Sequence, residues 1–210
     1  MVCDTSIVLD IAAAAELAGY RIDERVGRGG SADVYRATRA ATGQVVALKV
    51  LSADADPRLV DREVQLLRGI GHPGVVQLVD SGDVGSQRYV ATQWVEGPTL
   101  AQVLLDDAPL APVRAMRIFR QMTDALAAVH AGDVVHGDLT PANIIVGEAD
   151  LVTLVDFGIG RSGEVATITL DAEMSGTPRY LAPEVIEGAT PSPASDQYSS
   201  AVVLLSLIHI

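Results

Sequence analysis

Hydrophobic positions between residues 20 and 51 fall in short alternating runs. "YRIDERVG" and "ADVYRATRA" flank a Gly-rich turn, and "ATG" leads into "QVVALKVL", a pattern that predicts three strands. From 57 to 70 the period lengthens. Val60, Val64 and Leu67 recur at three- and four-residue steps, predicting a helix that stops at Gly71-His72-Pro73. Two further runs, "VVQLVDSG" and "RYVATQWV", read as strands completing a small sheet that carries one helix. Beyond Glu96-Gly97-Pro98 the pattern changes again. Ala115, Ile118, Met122, Ala125 or Leu126, and Val129 mark one face of a helix over 112–130, with Pro112 near its start. A polar loop in "VVHGDLTPANIIV", a strand "LVTLVDFG", a Ser- and Thr-bearing stretch and a helix from Asp196 complete the order. The expected fold class is α+β: a β-rich lobe, a hinge near 96–98, a mainly helical lobe and a cleft between them.

Composition narrows this only a little. A chain of 210 residues has room for one domain or slightly more, and 49% apolar content supports a packed core. The net charge of −12 disfavours nucleic acid and anionic membrane as partners, although a few placed donors and a metal still allow an acidic chain to hold a nucleotide. Cys3 is the single cysteine, so no disulfide framework exists and a cytoplasmic setting is expected. Residues 1–19, "MVCDTSIVLDIAAAAELAG", lack the basic start of a signal peptide and read as a short helix or arm. No run approaches the length of a membrane span.

Candidate chemistry begins with "VGRGGSADV". Glycines between strands let backbone N–H groups approach an anion, yet such a turn alone reads sooner as an ordinary hairpin. Lys49 in "VALKVL" alternates with apolar neighbours, on a strand whose inward face should be dry, where a cation is costly unless an anion meets it. Glu63, beside the helical stripe, is the obvious carboxylate partner; singly, each residue reads as a solvated surface charge, but together with the glycines they read as Lys49 holding phosphate oxygens and Glu63 holding Lys49. Asp138 and Asn143 share one loop, and Asp156 opens "DFG" after a strand. Three converging oxygen-bearing side chains suit a hard divalent ion together with a base for a hydroxyl.

The series "GRGGSADV", "VALK", Glu63, "HGDLTPAN", "DFG", "GTPRYLAPE" and Asp196 of "SDQYS" resembles the protein kinase superfamily, nearest to bacterial eukaryotic-type Ser/Thr kinases. The resemblance implies ATP and Mg2+ as cofactors and a protein carrying Ser or Thr as substrate. It implies that Gly27 and Gly29 cover the ATP phosphates, that Val34, Ala47 and Ile145 pack on the adenine, and that backbone groups of Gln93 and Val95 meet its edge. Lys49, paired with Glu63, would bind the α- and β-phosphates. Asp138 would orient and deprotonate the substrate hydroxyl, and Asn143 and Asp156 would hold magnesium. Thr92 would guard the back pocket. Leu67, Leu78, His136 and Phe157 match stacked structural residues anchored by Asp196, while His130 reads most simply as a helix-end residue. Thr167, Thr169 and Ser175 fall in the activation segment, Thr177 where Ser/Thr selectivity is expected, and Glu184 in "APE".

Three positions depart from that pattern. Ala32 replaces the third glycine. Gly137 stands where an Arg commonly grips a phosphorylated residue, here among Ser162, Thr167, Thr169 and Ser175, so activity is expected not to depend strongly on that modification. Thr140 replaces a Lys that reaches the transferred phosphate, a loss that typically costs a few kcal/mol in the transition state. A slower or differently assisted kinase is expected. The alternatives are a nucleotide-binding pseudokinase scaffold and a small-molecule phosphotransferase of the aminoglycoside kinase type, which lacks "GTPRYLAPE". The expected boundaries are a kinase N-lobe over 20–95 and a partial C-lobe over 96–204. "LSLIHI", 205–210, also reads as the translation of a sequencing adapter, which would make the chain a gene fragment with a non-native tail.

Overall fold

A computed structural model describes residues 18–28, 32–52, 56–84, 87–157 and 177–209. The chain divides into two units. One holds the chain up to Gln65 together with Gln77–Trp94; the other holds Leu66–Val76 and the chain from Val95.

The first unit is built on β1 (Tyr20–Arg28), β2 (Ala32–Arg39), β3 (Val45–Leu51), β4 (Leu78–Val84) and β5 (Gln87–Gln93), with helix α1 (Pro57–Arg68). The strands pair antiparallel in the order β1-β2-β3-β5-β4. Alternation along β3 decides its faces: Val46, Leu48 and Val50 are buried with Tyr20, Tyr35, Ala37, Tyr89 and Ala91 in one apolar cluster. Tyr20 and Tyr89 keep their hydroxyls satisfied inside this cluster's rim by donating to Asp80 Oδ2 at 3.0 and 3.2 Å. Lys49 therefore does not share the dry face expected for it. It lies half-buried on the opposite face, because a period of two puts residues 47 and 49 on one side and 46, 48 and 50 on the other. Helix α1 starts at Asp56, whose Oδ1 accepts the Arg58 N–H at 2.9 Å, and buries the expected stripe of Val60, Val64 and Leu67.

The second unit contains α2 (Leu100–Asp107), α3 (Pro112–Ala131), the hairpin β6 (Ile144–Val146) and β7 (Val152–Leu154), the single turn α4 (Pro183–Ile186), and α5 (Pro193–Ile208). Helix α3 buries Ala115, Ile118, Met122, Ala125, Leu126 and Val129, the face its periodicity marks. Helices α2 and α5 open with reciprocal caps. Thr99 exchanges hydrogen bonds with Gln102, and Ser192 with Ser195. Residues 75 and 76, expected to begin a strand of the sheet, instead pair with β7: Val76 donates to the Leu154 carbonyl at 3.0 Å, and Leu154 to that of Gly74 at 2.8 Å. Helix α5 runs through Ile208, with Leu207 buried and its carbonyl accepting the Leu110 N–H at 2.9 Å.

Candidate active site

In the first unit, strand register sets the residues expected to hold a nucleotide in a row. Gly27 on β1 stands opposite Val34 on β2, and Val34 opposite Lys49 on β3. Ala47 lies two residues from Lys49 on the same face and opposite Thr92 of β5. With neighbouring strands about 4.8 Å apart, Gly27 and Lys49 sit roughly 10 Å from each other across one face. That face is the one opposite the Tyr and Leu cluster. Lys49 is also the only lysine of the chain. Glu63 lies on α1 by its backbone; its side chain, and Gly29, lie outside the described residues. Gln93 ends β5, and Leu78 begins β4. Ala32 is buried at the head of β2 opposite Leu51, so its methyl fits the sheet.

In the second unit, the loop before β6 is held from below by one carboxylate. Asp196 of α5, 1% exposed, accepts the His136 N–H on Oδ2 at 2.8 Å and the Gly137 N–H on Oδ1 at 2.9 Å. His130 Nε2 at the end of α3 meets Oδ2 at 2.9 Å. His130 is thus the third partner of the Asp196 carboxylate, a role its position at a helix end did not disclose. His136 is fully buried; its Nε2–H donates to the Val155 carbonyl at 3.1 Å while Nδ1 accepts the Asp138 N–H at 3.3 Å. Both ring nitrogens are committed to the neutral form, and burial pushes its pKa below the ordinary 6.5 against the pull of Asp196, Asp138 and Asp156. The ring stacks on Phe157 with centroids 4.7 Å apart. Phe157 is buried, as is Leu67 in α1.

Asp138 and Asn143 are bonded to each other before β6, and Asp156 follows β7 of the same hairpin. Asn143 Nδ2 donates to the Asp138 carbonyl at 2.8 Å and to Asp138 Oδ2 at 3.0 Å. An amide whose nitrogen is committed to Asp138 presents its oxygen as the donor to a cation. The Val155 N–H donates to the Asn143 carbonyl at 3.0 Å, tying the residue before Asp156 to Asn143 across the hairpin. Asp156 holds φ +56, the left-handed region that Asp tolerates better than most residues and that concentrates at functional sites. Gly137 holds φ +72, where glycine carries no Cβ penalty. Ile145 in β6 is bridged to Thr99, beside Val95 and Gly97 in sequence. Among the described residues no three His, Cys, Asp or Glu side chains form a metal cage. One carboxylate and one amide oxygen nevertheless fit Mg2+, which keeps waters and takes the rest of its shell from substrate phosphates.

Thr140 is buried and heads the single turn Pro141–Asn143, its carbonyl accepting the Asn143 N–H at 3.0 Å. Thr167, Thr169, Ser175 and the Thr177 side chain lie outside the described residues. Glu184, whose unpaired carboxylate would be costly if buried, is exposed at the start of α4.

One unit carries Gly27, Val34, Ala47 and Lys49 in register on one sheet face, and the other carries Asp138, Asn143 and Asp156 on a loop and hairpin. The family model described as protein kinase domain matches residues 20–209, and the chain belongs to that family. It is 32% identical over 195 residues to the probable serine/threonine-protein kinase PknB of Lactococcus lactis, covering 90% of this chain and 31% of the relative. It is 38% identical over 190 residues to the serine/threonine-protein kinase PknE of Mycobacterium bovis, covering 88% of this chain and 34% of that protein. Against the serine/threonine-protein kinase PkaA of Streptomyces coelicolor it is 36% identical over 210 residues, 90% of this chain and 38% of the relative. The chain spans about a third of the length of these relatives. No helix of the described residues is long and apolar enough to cross a membrane.

Proposed function

We propose that the protein transfers the γ-phosphate of ATP to a Ser or Thr hydroxyl of a protein substrate. The observation that carries this reading is the Asp138–Asn143 pair: one side chain holds the other at 3.0 Å within a loop pinned by Asp196. Asp138 is the group that orients the hydroxyl and accepts its proton. Asn143 and Asp156 hold Mg2+, which when bound neutralises charge on the phosphates. Lys49, paired with Glu63, binds the α- and β-phosphates beneath Gly27 and Gly29, while Val34, Ala47, Ile145 and the backbone of Gln93 and Val95 take the adenine. Thr177 and Glu184 belong to the peptide platform.

A lobe over 20–95 and a further lobe from 96, working in the cytoplasm on protein rather than nucleic acid, complete the proposal. "GTPRYLAPE" favours a protein substrate over a small molecule. With Thr140 in place of a cation, the transferred phosphate receives less help and turnover is slow. Incubating the full-length protein with radiolabelled ATP, Mg2+ and a generic Ser/Thr protein substrate tests this. Label should reach Ser or Thr in the wild type and be lost in Asp138→Asn; nucleotide binding without transfer in either protein would establish the scaffold instead.

A further inference from the structure

The helix that carries Glu63 is tied to the edge of the sheet by a cation that alternation along β5 puts on the same face as Lys49 and Thr92, apart from the residues expected to touch the nucleotide. Arg88 on β5 forks onto Asp61 of α1, Nη1 to Oδ1 and Nη2 to Oδ2, the second at 3.3 Å. Its Nε reaches Asp83, the residue opposite it on β4, at 3.0 Å. One guanidinium thus neutralises two carboxylates from different elements, and the two-pronged geometry fixes direction as well as distance. Exposure is substantial, 28% for Arg88 and 58% for Asp61, and such pairs add little to global stability. Orientation is a different matter. Val60 and Val64 of α1 are buried, and apolar contacts of that kind are not directional in the way the fork is. Asp61 lies two residues before Glu63, about 200° round the helix axis, so a roll of the helix at one position is a displacement at the other.

We infer that Arg88 is a positioning residue for the Lys49–Glu63 pair, holding α1 in the orientation that presents Glu63 to the phosphate-binding lysine. The inference rests on the kinase reading above. Removing Arg88 deletes both ion pairs at once and takes away the only fork that these contacts give α1 on the sheet.

The test uses the full-length protein and separates two readouts. In Arg88→Ala, amide exchange across residues 57–65 should speed at least threefold while the unfolding midpoint stays within two degrees of wild type. Phosphotransfer kcat should fall about tenfold. Arg88→Lys, which keeps charge but loses the fork, should recover part of it. In a Glu63→Gln background, Arg88→Ala should cost less than twofold, because the pair it positions is already broken. Unchanged exchange in 57–65 would overturn the inference, as would an equal tenfold loss with and without Glu63. Were the wild type to transfer no phosphate, the kinase reading would fail, and the exchange experiment alone would decide whether Arg88 tethers the helix.

Discussion

Asp196 is the residue whose loss should be felt furthest from its own helix. Its carboxylate is buried and serves three donors: the backbone N–H groups of His136 and Gly137 and the ring nitrogen of His130. Each buried donor stranded without an acceptor costs about 1–3 kcal/mol. Asp196→Ala strands all three, for a total of roughly 3–6 kcal/mol after allowing for relaxation. Asp196→Asn keeps the shape but has one acceptor oxygen. With that oxygen on the side shared by His136 and His130, the amide NH2 faces the Gly137 N–H, so one donor is lost, at about 1–3 kcal/mol. Domains are stable by only about 5–15 kcal/mol, so the alanine variant approaches the limit of folding. Urea unfolding of the full-length variants, read by circular dichroism with both midpoint and slope, gives the two values directly. The order wild type, Asn, Ala is expected, with phosphotransfer falling in the same order because residues 136 and 137 lead into Asp138. If Asp196→Ala unfolds within about 1 kcal/mol of wild type, the three donors do not depend on this carboxylate and the account of the loop is wrong.

Three further outcomes are expected. His136 has a folded pKa below its ordinary 6.5, so between those values the unfolded chain binds the extra proton and stability falls as pH drops below about 6.5. The slope is at most about 1.4 kcal/mol per pH unit and should flatten in His136→Gln, measured by urea unfolding from pH 5.5 to 7.5 without nucleotide or metal. At Gly97, φ is +133 and a Cβ would stand 2.6 Å from the Val146 carbonyl, whereas at Gly43 φ is +71 and nothing lies within 4 Å. Gly97→Ala should therefore cost about 2–4 kcal/mol and Gly43→Ala only about 1, by thermal or urea unfolding; equal costs would contradict the close approach. Replacing Thr167, Thr169 and Ser175 together by Ala should leave kinase activity within about threefold, since Gly137 supplies no cation to a phosphate there; abolition would show that such a phosphate is read by another group.

Long periodic stretches were legible before any coordinates. The α3 stripe and the Val60, Val64 and Leu67 face of α1 follow from spacing alone, because a helix that buries one side must repeat its apolar positions. Helix α2 went unread: eight residues make too few turns for a period to stand out, and its signal was the Thr99–Gln102 cap. Residues 74–76 were misplaced because what captures them is backbone pairing with Leu154, a partner far along the chain that no local pattern announces. Lys49 is expected on the dry face of its strand because alternation alone does not say which of the two faces the core takes. At the candidate site, the resemblance named Asp138, Asn143 and Asp156, and their spacing is consistent with it. The bond between His130 and Asp196, the left-handed backbone of Gly137 and Asp156, and the fork of Arg88 on Asp61 arise only when distant residues meet.

The chain's lone lysine has a practical consequence for anyone who handles the protein. Amine-directed chemistry has one side chain to find in this stretch, Lys49, half-buried on the sheet face assigned to ATP. Coupling to a surface, a dye or a crosslinker through amines would then consume the proposed phosphate-binding residue whenever it did not take the α-amino group. A saturating nucleotide should shield it, turning an ordinary labelling reaction into an occupancy measurement. Attachment through Cys3, the single thiol, leaves that lysine untouched.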